Sequence, residues 1–221
     1  MSALKDHCFS CFTRDGGIIF DSQTDRYYIL TLAQTELIQQ SLFYGKSSHL
    51  LPCEIRGLFH DNMKNFQGDQ VCSSIADGIH DYIWRYIPFD SASYARKSPV
   101  LRYALWVYFI QLGIKTRGIV NTLTKIGKVQ KVLTKLLPQR ELPCVADQIM
   151  TAARLSPFRF ECLEFAIAMR CYAEAKGYKN TKFCLGVQRF PFLAHAWVEH
   201  DGIPIGDAVD LRDRAAIIFE M

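Results

Sequence analysis

Apolar and polar positions alternate at the start of the chain and then change period. HCFSCF at 7–12 and IIF at 18–20 flank TRDGG, a turn signal with two adjacent glycines, and predict a β-hairpin. A second turn, SQTD at 22–25, leads into RYYILTL at 26–32, an aromatic and β-branched third strand. From Ala33 the pattern becomes helical: AQTELIQQSLF puts Leu37, Ile38 and Leu42 on one face, and Gly45 stops it. Two further helices are predicted at 53–60 and 69–86, the second with Val71, Ile75, Ile79, Ile83 and Trp84 at helical spacing. Residues 1–88 therefore read as three short antiparallel strands followed by three helices.

PFDSASYARKSP at 88–99 is polar and bounded by prolines, and marks a domain boundary. A helix over 100–113 comes next. Another, over 117–137, carries Ile119, Leu123, Ile126, Val129, Leu133 and Leu136 at three- and four-residue steps, with Lys125, Lys128, Lys131 and Lys135 on its other side. Ala146–Leu155 is a short helix broken by SPF at 156–158. Cys162–Lys176 is helical up to Gly177, a good C-cap. KFCLGVQ at 182–188 and AHAWVEH at 194–200 are strands, Asp201-Gly202 turns the chain, and IPIGD at 203–207 is a short third strand. The expected fold class is α+β, in three parts. Residues 1–88 are the first, a helical connector at 89–140 is the second, and 141–221, a helix and then an antiparallel meander, is the third. The connector helices are expected to pack with the third part.

Charge sharpens this division. Residues 1–90 hold 7 Lys/Arg and 11 Asp/Glu, residues 91–140 hold 10 basic residues and no acid, and residues 141–221 hold 9 and 11. The entire basic excess lies in the connector, where the lysines suit a solvated helix face or docking to an acidic partner. Aromatic residues do not interleave with them, so no nucleic acid is expected. The longest apolar stretch, Val100 to Leu112, is interrupted by Arg102 and Gln111 and is shorter than the ~20 residues of a membrane span. MSALKDHCFSCF lacks the apolar core of a secretory signal, so a cytoplasmic location is expected, with its eight cysteines mostly free thiols. Cys8-x-x-Cys11 is a lone CxxC whose members fall on opposite faces of a strand. No GxxxxGK[ST] loop occurs. No metal and no cofactor are expected.

Three residues carry candidate chemistry. Cys162 comes after the break SPFRF at a helix start, where unpaired N–H groups and the helix dipole favour a thiolate nucleophile. Strand alternation places His195, Trp197 and Glu199 on one face, and Ala194, Ala196 and Val198 on the other. His195 and Asp207 flank the turn at 201–202 at nearly equal distances, so hairpin pairing sets them side by side. A carboxylate there can hold the imidazole tautomer. Cys162 as nucleophile, His195 as base and Asp207 as orienter form a nucleophile–base–orienter set of the papain-like and transglutaminase-like kind.

These residues carry a family resemblance. Cys162-Leu163, Gly186-Val187, Pro191-Phe192, Ala194-His195-Ala196-Trp197-Val198-Glu199, Asp207 and Leu211-Arg212-Asp213 resemble the lasso-peptide B protein family, leader peptidases of the McjB type. The resemblance implies a transglutaminase-like cysteine endopeptidase. It would remove the leader of a ribosomally made lasso precursor peptide and free the core N-terminus for macrolactam closure. An asparagine-synthetase-like lasso cyclase would be the partner. GGIIFDSQTDRYYILTLAQTELI resembles a PqqD-like winged helix, the RiPP recognition element, which captures a leader by extending a sheet edge. Carried over, Arg26, Tyr27, Tyr28, Ile29 and Leu30 would be the leader-binding strand and 69–86 the groove helix. Rival expectations are a leader-binding adaptor with an inactive catalytic domain, and an acyltransferase or transglutaminase using the same three residues.

Overall fold

A computed structural model describes residues 4–44, 51–60, 71–73, 84, 86–88, 100–124, 132 and 134–221. The described chain is a mixture of helices and two four-stranded sheets. It divides into two compact units, one of Met1–His80, Gly186–Ala194 and Arg212–Phe219, the other of Asp81–Leu185, His195–Leu211 and Glu220–Met221.

The first sheet begins with the expected hairpin. β1 (Cys8–Thr13) pairs antiparallel with β2 (Gly16–Asp21), Thr13 facing Gly16 across the two-residue turn. β3 (Arg26–Ile29) pairs antiparallel with β2 from Ile18–Ile29 to Asp21–Arg26. Between β2 and β3 the Asp21 carboxylate holds the turn, accepting the N–H of Gln23 at 2.9 Å and the Thr24 hydroxyl at 2.7 Å. Thr31 and Gln34 then start helix α1 (Leu32–Tyr44) with a reciprocal capping box: Thr31 N–H donates to Gln34 Oε1 and Gln34 N–H to Thr31 Oγ1. α1 lays Ile38 and Leu42 into a core shared with Leu4, Cys8, Phe12, Ile19 and Leu30, and with Ile55 of the single-turn helix α2 (Cys53–Arg56).

One expectation fails here. Val71–Ser73, placed by spacing inside a helix over 69–86, is a strand, β4, which pairs parallel with β1 through Ser10–Val71, Cys11–Cys72 and Phe12–Ser73. Apolar residues four apart suit a helix, but an open edge on β1 offers ladder hydrogen bonds that no local period reveals. Most of 74–86 lies outside the described residues. The sheet order is β3-β2-β1-β4, so β3 is an outer strand.

The 186–194 segment is tied into the same unit. Arg189 donates from Nε at 3.0 Å and from Nη2 at 2.6 Å to the Leu30 carbonyl, a fork on a single acceptor. Phe192 packs against Tyr27 with ring centroids 5.3 Å apart, and Phe9 meets Phe219 at 4.8 Å.

The second unit is built around helices. α3 (Val100–Arg117), longer than the 100–113 expected, packs on α4 (Ile119–Thr124), on α5 (Leu142–Ala153) and on α6 (Cys162–Ala175). The expected helix over 117–137 is helical at α4, while 125–131 lie outside the described residues. α6 is buried on nearly every side, with Phe165, Ile167, Met169 and Tyr172 as bulk and Ala166, Ala168 and Ala173 letting neighbours close in. It ends in a Schellman motif, Gly177 N–H to the Glu174 carbonyl and Tyr178 N–H to that of Ala173, with Gly177 at φ 76°.

The second sheet has the order β7-β6-β5-β8, from β5 (Thr181–Gln188), β6 (Leu193–His200), β7 (Ile203–Pro204) and β8 (Ala216–Glu220). The turn between β6 and β7 has Asp201 at φ 50° and Gly202 at φ 81°, the two positive values of a type I′ hairpin turn. β7 ends at Pro204, shorter than the strand expected over 203–207. β8, absent from the expectations, closes the outer edge of β5 with Phe183 and Met221 exchanging N–H···O bonds at 2.8 and 2.9 Å. Among the described residues no helix is long and apolar enough to cross a membrane.

Two glycines separate the cost of backbone conformation from the cost of crowding. Gly16 sits at φ 134°, and a Cβ there would lie 2.8 Å from the Leu30 carbonyl oxygen and 2.9 Å from Arg189 Nε. Gly177 sits at φ 76° with nothing within 4 Å of such a Cβ. Gly177→Ala is expected to cost about 1 kcal/mol, the left-handed conformation alone. Gly16→Ala should cost roughly 1–3 kcal/mol and disturb the Arg189 fork. Chemical denaturation midpoints of the two variants check the difference.

Candidate active site

Cys162 is the first residue of α6. Its preceding residue, Glu161, is the N-cap, and a capping box joins Glu161 and Glu164: the Glu161 side chain takes the Glu164 N–H, and Glu164 Oε2 takes the Glu161 N–H at 3.0 Å. This fixes the orientation of the helix start. Cys162 is half-buried, whereas Cys8, Cys11, Cys144, Cys171 and Cys184 are buried and Cys53 is exposed.

The helix start does not leave a ready thiolate. Burial pushes the Cys162 thiol up, and the carboxylates of Glu161 and Glu164 add to that; hydrogen bonds from the backbone N–H groups of Ala196 and Leu163 to the sulfur pull the other way without winning. The lowered pKa expected from position alone is thus corrected, chiefly because the thiol is buried and secondarily because the residues that cap the helix are themselves anions. The Ala196 contact has a geometric meaning too. It brings the sulfur against β6 at the residue next to His195.

His195 and Asp207 meet directly. His195 Nε2 lies 2.8 Å from Asp207 Oδ2, with the two side chains only 3% and 2% exposed. The second carboxylate oxygen, Oδ1, accepts the Ala208 N–H at 2.8 Å. Strand pairing does not make this contact, as the hairpin count supposed. The β6–β7 ladder runs through His200–Ile203 and Glu199–Pro204, with Ile205 N–H bonding the Val198 carbonyl. Gly206 then turns at φ 68°, and this turn, not a fourth ladder rung, brings Asp207 to the imidazole. Tyr86 lies over the turn: a Cβ on Gly206 would fall 2.8 Å or less from Cδ2 and Cε2 of its ring. Ile87 N–H bonds the Gly206 carbonyl, and the Tyr86 hydroxyl donates to Asp147. Sequence reasoning missed this support. Gly206 next to the candidate Asp was the available signal.

Burial disfavours either charge on its own. It pushes His195 down to about 4 and Asp207 up to about 7, the latter partly offset by the Ala208 N–H. At 2.8 Å the imidazole Nε2 and the carboxylate oxygen are within hydrogen-bond distance, so the protonation of each group bears on that of the other.

The candidate leader-binding residues lie elsewhere. Arg26, Tyr27, Tyr28 and Ile29 make up the outer strand β3, Ile29 being 46% exposed. Leu30 is in the core, its N–H bonded to Gly17 and its carbonyl to Arg189, so it belongs to the packing and not to an open edge. Among the described residues one group has metal-ligand types close together: His7, Cys8 and Asp21. Asp21 already accepts from Gln23 and Thr24, and Cys8 lies in the core with its thiol pushed up to about 12 by burial. That set is accounted for by the turn and the core.

Residues 104–220 match the model of the Transglutaminase-like superfamily. The chain belongs to that superfamily. All three candidate residues fall within the matched segment. The chain is also 31% identical over 67 residues to the microcin J25-processing protein McjB of Escherichia coli, a match covering 30% of this chain and 32% of that protein. No solved structure gives a significant match. The PqqD-like resemblance of the N-terminal part has no counterpart among these matches.

The superfamily member's buried pair has a pH signature of opposite sign on each side. His195 has a folded pKa below its unfolded value, so its contribution is present above about 6.5 and is lost as pH falls through about 4. Asp207 has a folded pKa above its unfolded value, so its contribution is present below about 3.8 and is lost as pH rises through about 7. Together they oppose one another over nearly the same window. Asp207→Asn leaves the histidine term and should lose stability from about pH 6.5 to about 4. His195→Gln leaves the carboxyl term and should lose stability from about pH 4 to about 7. Urea midpoints at about pH 4.5 and about pH 7 should therefore rank the two variants in opposite orders.

Proposed function

We propose that this chain is a cysteine endopeptidase that removes the leader of a lasso-peptide precursor. The observation that carries the reading is the buried 2.8 Å contact between His195 Nε2 and Asp207, on the strand whose next residue, Ala196, hydrogen-bonds the Cys162 sulfur. Membership of the Transglutaminase-like superfamily and the McjB match support the class of chemistry and the class of substrate.

With Nε2 engaged by Asp207, Nδ1 is the ring nitrogen that takes the thiol proton. The Cys162 sulfur then attacks the carbonyl carbon of the scissile bond. The backbone N–H of Cys162, at the first position of α6, offers a donor to the developing oxyanion. The imidazolium returns its proton to the leaving amine, which departs as the new N-terminus of the core. A water molecule, deprotonated by His195, hydrolyses the thioester and regenerates the thiol. Because the resting thiol is held protonated, the reaction depends on transfer to His195 and not on a standing thiolate.

Leader capture is assigned to the outer strand β3, through Arg26, Tyr27, Tyr28 and Ile29, where a peptide could continue the β3-β2-β1-β4 sheet. The freed core amine would pass to an asparagine-synthetase-like cyclase.

With a lasso precursor peptide as substrate, Cys162→Ala and His195→Ala should abolish leader removal yet still bind leader. Asp207→Ala should lose less, since orientation is worth less than the nucleophile. Mass spectrometry discriminates the chemistry. Two fragments whose masses sum to precursor plus water mean hydrolysis, while an intact peptide of changed mass means acyl transfer and overturns the peptidase assignment. Cleavage retained in either Cys162→Ala or His195→Ala removes the triad assignment. Ile29→Asp should weaken labelled-leader binding in fluorescence polarisation and leave Cys162 alkylation by iodoacetamide unchanged.

A further inference from the structure

His195 is one of three residues that β6 sends to a single face, and the other two have no role in the proton transfers above. Trp197 lies flat beside the imidazole, with ring centroids 5.9 Å apart and an interplanar angle of 15°. Its indole Nε1–H donates to Glu199 Oε1 at 2.8 Å. His195, Trp197 and Glu199 are 3%, 1% and 1% exposed. A glutamate so deeply buried on a strand is costly unless it is partnered, and here an indole N–H is one of its partners.

From this geometry we infer that Trp197 and Glu199 are positioning residues for His195: the indole face holds the imidazole plane and stabilises the imidazolium formed when the ring takes the Cys162 proton, and Glu199 fixes and polarises the indole. The inference rests on the catalytic reading of His195. The physical reasons are three. First, the contact with Asp207 fixes the ring at Nε2, and a parallel indole fixes its plane. Second, an aromatic face attracts a cation within about 6 Å of its centroid, most strongly for tryptophan and where water is excluded. Third, a carboxylate drawing on the indole N–H shifts electron density into the ring and strengthens that attraction. The arrangement answers a difficulty posed by the site itself. Burial disfavours both the isolated imidazolium and the thiolate, the latter further opposed by the capping carboxylates, so an aromatic face that stabilises the imidazolium favours formation of the ion pair. Among the described residues, Asp207 contacts the imidazole and the charges of Glu161 and Glu164 bear on the thiol, while the indole is a neutral neighbour of the ring.

The experiment uses the full chain and the pH profile of Cys162 alkylation by iodoacetamide, read by mass spectrometry of the Cys162 peptide. Trp197→Leu removes the aromatic face, Trp197→Phe keeps a ring without the N–H, and Glu199→Gln keeps an acceptor oxygen without the charge. All three should move the profile to higher pH and slow alkylation near neutral pH, Trp197→Leu by about two- to thirtyfold and the other two by less. Leader removal should fall in kcat with KM unchanged. A merely structural role would lower the melting temperature without moving the profile of the folded protein. Should Trp197→Leu fail to fold, Trp197→Phe and Glu199→Gln carry the test. Profiles for these two that superimpose on that of the parent chain, while His195→Ala displaces it, overturn the positioning role and leave the catalytic reading standing. A profile that His195→Ala also leaves in place overturns the catalytic reading, and this inference with it.

Discussion

Two ionisable side chains in contact, both cut off from water, set the terms for the C-terminal unit. Neither His195 nor Asp207 can carry a charge alone at such burial without a large penalty, so each requires the other within hydrogen-bond distance. Their 2.8 Å contact in turn constrains the backbone around it. Asp201-Gly202 must reverse the chain, Ile205 must hold Val198, and Gly206 must take a left-handed turn so that the next residue reaches the imidazole. Tyr86 occupies the space that a side chain on Gly206 would need, and its hydroxyl is anchored on Asp147 of α5. A contact between two atoms thus depends on a hairpin turn, a glycine, a tyrosine and a helix.

The same logic sharpens the chemistry of the cysteine. A helix N-terminus ordinarily favours an anion. Here burial outweighs that effect, and the Glu161 and Glu164 caps add to it, so the thiol is held up. A cysteine that stays protonated until a neighbouring base accepts its proton is protected from indiscriminate alkylation and oxidation. On the proposed mechanism, control of reactivity rests with His195 and with whatever stabilises its charged form. The parallel indole of Trp197, itself held by Glu199, is the group placed to do so.

In the N-terminal unit the organising contact is the Arg189 fork on the Leu30 carbonyl. It fastens the 186–194 segment to the end of the outer strand β3. Nothing local in the sequence around Arg189 announces this partner, which lies 159 positions away in the chain. The superfamily match covers 104–220, so this unit includes short pieces of the matched segment together with the unmatched N-terminal strands.

What the sequence determined by itself was everything that short range controls. TRDGG and DG gave hairpins, because few residues tolerate the required backbone angles. Alternation gave β1, β3 and β6 and put His195, Trp197 and Glu199 on one face, because strand side chains repeat every two residues. The break before Cys162 and Gly177 after it bounded α6. Tertiary structure alone decided the rest. Val71–Ser73 became a strand because β1 offered an open edge, and β8 formed because β5 did. Asp207 met His195 through a turn at Gly206, not through a ladder, and the thiol of Cys162 was raised by burial, with neighbouring carboxylates adding to it, where the helix dipole alone would lower it. Each of these depends on which groups exclude water from one another and which unpaired edges meet, and neither quantity is carried by a window of neighbouring residues.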